Sequence, residues 1–168
     1  MKNNTRVLVV GLGSIGQRHA RLLSERRDVE LHLCEMVDEH RAKTAAALVN
    51  PAAGEYSALP AALQSKPDIV FICVPNQFHV TVGLQALAAA ADIFVEKPIA
   101  DSIEEARKLV TAADSAGRFM QVGYMLRLDE GLGKMKKLVD AGGIGNLIGG
   151  RAMIGTYITL LNAKSRDR

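Results

Sequence analysis

Apolar residues along this chain come in short unbroken runs separated by stretches of helical periodicity. The first run is Val7, Leu8, Val9 and Val10, mostly β-branched. Such a run reads as a strand buried on both faces, as in a parallel sheet. The same signature returns at residues 68–74; further strands are expected at 29–34 and 92–95, near Glu55 and Tyr56, and at 118–122. Between the runs, apolar positions recur every three or four residues. Ile15, His19, Leu22, Leu23 and Arg26 mark one helix; His79, Val82, Ala86, Leu87 and Ala90 mark another; Ile103, Ala106, Leu109, Val110 and Ala113 mark a third.

Polar punctuation sets the expected boundaries. Asp38 is placed to cap a helix that runs to Ala47 or Leu48 and stops at Asn50-Pro51. Ser57 is expected to cap a brief helix over 58–64, and Asn76 the helix carrying His79. Asp101 or Ser102 starts the next one; Ser102 and Glu105 have capping-box spacing, and Gly117 closes it. Strand and helix alternating over this length predict an α/β fold with a doubly wound parallel sheet and right-handed crossovers.

After residue 123 the pattern changes. One helix is expected with Leu128, Leu132, Met135 and Val139 on one face, ending at 141–143. A β-prone run follows at 147–161, then a polar tail at 162–168. The reading is a Rossmann-type domain over 1–123 and, over 124–168, a helix-plus-strand remnant of a second α+β domain. A terminal strand with an open edge would favour self-association.

Composition narrows the class. The 168 residues suit one domain with a real core. A charged content of 23% and a net charge of +3, spread along the chain, leave no footprint for nucleic-acid binding. No apolar run is long enough for a transmembrane helix, and no signal-peptide pattern precedes the first strand, so a cytoplasmic protein is expected. Cys34 and Cys73 end apolar runs, where a thiol packs as a small core residue; two isolated cysteines do not make a metal site.

The chemistry is concentrated where the first strand ends. Gly11, Gly13 and Gly16 follow in G-x-G-x-x-G spacing between a strand and a helix. One glycine permits the tight turn, the next admits a pyrophosphate to the backbone, and the third lets helix and strand pack closely. The helix N-terminus then points free N–H groups and a positive dipole end at the phosphates. Glu35, at the tip of the second strand, is placed to accept the ribose hydroxyls of an adenosine and to repel a 2′-phosphate. That favours NAD over NADP, although Arg41 could still meet a 2′-phosphate.

These residues resemble the Gfo/Idh/MocA oxidoreductases. The likeness rests on residues 11–19, on Val74-Pro75-Asn76-Gln77-Phe78-His79, on Glu96-Lys97-Pro98 and on Gly123-Tyr124-Met125-Leu126-Arg127. It implies a nicotinamide enzyme that moves a hydride to or from a sugar, cyclitol or related hydroxyl carbon. It also implies two domains, the second carrying the substrate pocket and oligomer contacts. Gly11, Gly13, Ser14, Ile15 and Gly16 would then cradle the pyrophosphate. Val74, Pro75, Asn76 and His79 would line the nicotinamide ribose, and Glu96 would orient the nicotinamide end. Lys97 would be catalytic, hydrogen-bonding the reacting oxygen or relaying its proton. Tyr124 and Arg127 would face a polyol or sugar-like substrate.

His79 also suits a purely structural role, and His19 reads as a packing residue. The family's usual C-terminal Asp and His have no counterpart, since His19, His32, His40 and His79 are the only histidines. The expectation is therefore a chain cut short by an early stop or frameshift. Its alternative function is a module that binds NAD(H) without turnover. A methyltransferase would leave Glu96-Lys97-Pro98 without a task.

Overall fold

A computed structural model describes residues 4–153 and 155. The chain divides into two compact units, Met1–Tyr124 and Met125–Arg168.

The first unit is built from β1 (Thr5–Val10), α1 (Ser14–Ser24), β2 (Val29–Cys34), α2 (Asp38–Ala46), β3 (Gly54–Tyr56), α3 (Leu59–Leu63) and β4 (Ile69–Ile72). A 3-10 turn at Asn76–Phe78 then leads into α4 (His79–Ala88), β5 (Asp92–Val95), α5 (Ile103–Ala116) and β6 (Met120–Val122). All strands pair in parallel, in the order β3-β2-β1-β4-β5-β6. This is the doubly wound Rossmann arrangement. Strand order reverses between β1 and β4, and ligands of such sheets bind beyond the carboxyl ends of the strands at that point.

Alternate strand residues face opposite layers. Leu8, Val10, Val70, Ile72, Ile93 and Val95 pack with Val82 and Ala86 of α4 and Leu109 and Ala113 of α5. Val9, Leu31 and Leu33 pack against Ala20 of α1 on the other face. Both faces are covered, which is why the central strands β1 and β4 carry continuous apolar runs, residues 7–10 and 69–72, rather than alternating ones.

Several expected boundaries shift, each for a local reason. Asp38 is the first helical residue of α2 and Val37 is its cap; the Asp38 carboxylate pairs with Arg41 at 2.5 Å instead. Ala58 rather than Ser57 caps α3. Asn76 caps nothing: Pro75 precedes the turn, and the Asn76 amide donates to the Asp101 carboxylate. Ala90 lies beyond α4 with positive φ, so it extends no helical face. Ser102, not Asp101, caps α5 by accepting from the Glu105 N–H at 3.2 Å, and Gly117 ends that helix in the left-handed region.

The second unit has a 3-10 turn at Met125–Leu128 and then α6 (Glu130–Asp140). The Asp129 side chain splits what the apolar spacing suggested was one helix, accepting from the Leu132 N–H at 2.9 Å. Residues 147–153 form no strand. The remainder of the β-prone run 147–161 falls mostly outside the described residues.

Candidate functional site

β1 delivers the chain directly into the glycine loop. Gly11 has φ +87°, and a Cβ there would stand 2.7 Å from the Val74 nitrogen and 2.8 Å from the Cys73 carbonyl carbon. A side chain would therefore clash with the exit of β4 as well as strain the backbone. Gly16 is still tighter, since an added Cβ would fall 1.9 Å from the Gly11 carbonyl oxygen. Gly13 differs: nothing lies within 4 Å of its added Cβ. Two glycines are thus required by the protein's own packing, while the third faces open space.

Gly13 is also the N-cap residue of α1 and supplies no side-chain cap. The amides of Ser14, Ile15 and Gly16 consequently have no intrahelical partners, as at any helix start. No acidic residue occupies that first turn. Free donors, a positive dipole end and open space together suit an anion such as a pyrophosphate.

Glu35 follows β2 and bends its carboxylate back to this loop. Oε2 accepts from the Leu12 N–H at 2.8 Å and Oε1 from the Val37 N–H at 3.0 Å. An ionised carboxylate can accept about four hydrogen bonds, so each oxygen keeps a place for a hydroxyl donor. Arg41 is drawn inward. Its guanidinium donates to the Glu35 carbonyl at 2.7 Å and to Asp38, and lies 3.9 Å from Glu55. These local partners account for its charge in the structure.

The far side of the crevice is the turn after β5. Glu96 Oε1 meets His19 Nε2 at 2.8 Å, and Oε2 accepts from the Lys97 N–H at 3.2 Å. Lys97 itself is exposed, and its ammonium has no hydrogen bond or ion pair among the described residues.

His79 requires the largest correction. It is only 2% exposed, with Nδ1 2.8 Å from the Pro98 carbonyl and Nε2 2.9 Å from the Val74 carbonyl. Neither nitrogen is left for a ribose. The imidazole instead ties the turn after β4 to the turn after β5. Asn76 remains exposed beside it with its amide on Asp101. Tyr124 is 49% exposed at the end of the first unit, whereas Arg127 belongs to the second unit.

Reasoning from sequence missed two partners, Asp101 for Asn76 and His19 for Glu96. The second is separated by 77 residues; its only signal was a histidine one turn beyond Gly16 on the inner face of α1. Ser24, Arg27, Val29 and Asn50 line a pocket at the opposite end of β2, away from these groups.

A family model described as "Oxidoreductase family, NAD-binding Rossmann fold" matches residues 5–124. The chain belongs to this GFO_IDH_MocA family. Inositol 2-dehydrogenase 3 of Saccharopolyspora erythraea is 37% identical over 142 residues, which are 83% of this chain and 42% of that relative. Inositol 2-dehydrogenase of Corynebacterium glutamicum (strain R) is 32% identical over 151 residues, 88% of this chain and 44% of the relative. Among solved structures, myo-inositol 2-dehydrogenase from Lactobacillus plantarum superposes with a TM-score of 0.79 at 28% identity, covering 87% of this chain and 44% of that one. Scyllo-inositol dehydrogenase from Lactobacillus casei, solved with NAD(H) and scyllo-inositol, gives 0.77 at 27%, covering 86% and 43%. The chain therefore spans less than half the length of these relatives. Among the described residues, no helix is long and apolar enough to cross a membrane.

Proposed function

We propose that this chain is the NAD(H)-holding part of an oxidoreductase acting on a cyclitol or similar polyol, with Lys97 directed at the reacting oxygen. The observation that carries the reading is the open space at Gly13, beside unpartnered α1 amides and the Glu35 carboxylate. Once NAD(H) is held, its nicotinamide ring would supply the acceptor or donor of hydride.

The protein groups have separable tasks. The amides of Ser14, Ile15 and Gly16 receive the pyrophosphate, and Gly13 keeps side-chain bulk out of its path. Glu35 accepts the adenosine ribose hydroxyls; it disfavours a 2′-phosphate by charge, so NAD is preferred over NADP. Glu96 borders the nicotinamide end, and Asn76 lies exposed near it. Lys97 donates a hydrogen bond to the substrate oxygen and stabilises the negative charge that develops as its proton leaves. Polyol specificity is proposed from the inositol dehydrogenases that this chain resembles. Tyr124 and Arg127 are proposed for the substrate side by the same likeness. Two buried free thiols suit a reducing, cytoplasmic compartment.

A second reading is that these 168 residues bind NAD(H) without turnover. One assay separates the two. NAD+ and myo-inositol are mixed with the 168-residue chain, and absorbance of the reduced nicotinamide is followed in the native protein and in Lys97→Ala. Turnover lost in the variant supports the oxidoreductase reading; tight NADH binding with no turnover in either supports the binding module.

A further inference from the structure

We infer that His19 is a positioning residue for the Lys97 turn, holding it to the same helix whose first turn forms the phosphate seat. The inference rests on reading the crevice as an NAD(H) site.

The geometry begins with Glu96, whose side chain is only 12% exposed and whose two oxygens have different tasks. Oε2 receives the Lys97 N–H, while Oε1 faces His19 Nε2 at 2.8 Å. An ionised carboxylate only accepts, so the imidazole donates from Nε2. Gly123 closes the third side: a Cβ there would be 3.2 Å from Glu96 Oε1 and 3.1 Å from the Phe94 ring. Glu96 therefore has little room to turn, and His19 decides where it rests.

The imidazole is itself oriented. Its centroid lies 5.4 Å from that of Phe71 and 5.3 Å from that of Phe94, both tilted to it. The two phenylalanines belong to β4 and β5, so α1 is keyed to the strands bordering the crevice. His19 lies five residues beyond Ser14 in α1, which is about 7.5 Å along a helix axis. One rigid element thus holds the phosphate seat at its tip and the Lys97 turn further along. The Lys97 ammonium has no partner among the described residues, so the placement of its main chain sets the region the ammonium can reach. Packing alone would use any ring at position 19. Positioning needs the N–H.

Two substitutions in the 168-residue chain separate these roles. His19→Phe keeps a ring against Phe71 and Phe94 and removes the donor; His19→Gln keeps a donor and removes the ring. Each is titrated by fluorescence or calorimetry with NADH and with ADP, which lacks the nicotinamide end, and thermal melting is followed alongside. Loss of a charged hydrogen bond predicts that His19→Phe weakens NADH about tenfold and ADP less than about twofold, with His19→Gln nearer the native protein. Should His19→Phe fail to fold, His19→Leu, also without a donor, is expected to show the same pattern.

The inference is overturned if the donor-free variant binds NADH as the native chain does, if NADH and ADP weaken equally, or if His19→Gln is the more damaged. If the native chain binds neither probe, the NAD(H) reading falls and this inference with it. Native binding combined with any of the other three results removes the inference alone.

Discussion

Glu35 Oε2 accepts a 2.8 Å hydrogen bond from the Leu12 N–H, tying the tip of β2 to the loop that leaves β1. The bond places a carboxylate beside the glycine loop before any ribose arrives. It predicts that Glu35→Ala weakens NADH about tenfold or more, since hydrogen bonds to charged groups contribute roughly 1.5–3 kcal/mol. NADPH, which gains relief from charge repulsion, should weaken less. Parallel titrations of both cofactors check this, and tighter NADPH binding by the native chain would contradict the proposed preference.

The glycines should separate stability from binding. Gly16→Ala drives a Cβ to 1.9 Å from the Gly11 carbonyl, so melting should fall by several degrees and binding with it; a loss of 1 kcal/mol shifts Tm by about 2–8 °C. A Cβ added at Gly13 meets no neighbouring atom within 4 Å, and Gly13→Val should melt near the native temperature while binding NADH poorly. Differential scanning fluorimetry with and without NADH distinguishes the two. A Gly13→Val protein that still binds NADH normally would show that this loop is not the phosphate seat.

His79 is expected to matter through the fold. A neutral imidazole has a single N–H, so replacing it with Leu strips at least one of the Val74 and Pro98 carbonyls of its donor, at a cost of roughly 1–3 kcal/mol where that carbonyl is left unsatisfied. Urea denaturation should register a loss on the order of 1–3 kcal/mol. A variant as stable as the native chain would contradict the assignment of His79 as the link between the two turns.

The part of the site that was legible in sequence was the part written locally. Four apolar residues ending at Gly11 announce a buried strand and its turn, and Glu35 sits one strand later at a fixed offset. Ser102 and Gly117 could be read because capping depends on residues three or four positions away. The contacts of Asn76 and His79 could not, because their partners come from other segments. Asp101 takes the Asn76 amide, and two carbonyls 5 and 19 residues away enclose His79. A polar residue near a motif is easily assigned to the ligand when its protein partner lies far along the chain.

The cysteines give a pH dependence of known sign. Burial pushes the Cys73 thiol up to about 12 and the Cys34 thiol to about 11, with the Glu96 and Glu35 carboxylates adding to the rise. In the unfolded chain both ionise near 9.0, so above that value the unfolded state binds fewer protons than the folded one. Their contribution to stability is complete below about pH 9 and is lost as pH rises toward 11–12. Denaturation midpoints measured from pH 8 to 11 should fall, and less so in Cys73→Ala. At pH 8 both thiols should resist iodoacetamide until the protein is unfolded; rapid alkylation of the native chain would contradict their burial.

The central claim is that the loop from Gly11 to Gly16 receives NAD(H), and amide NMR tests it most directly. With NADH added to the 15N-labelled chain, the largest shifts should fall on Leu12, Gly13, Ser14, Ile15 and Gly16, with a second group at Glu35 and Glu96–Lys97. Saturable shifts confined to other residues, or none at millimolar NADH, would contradict it.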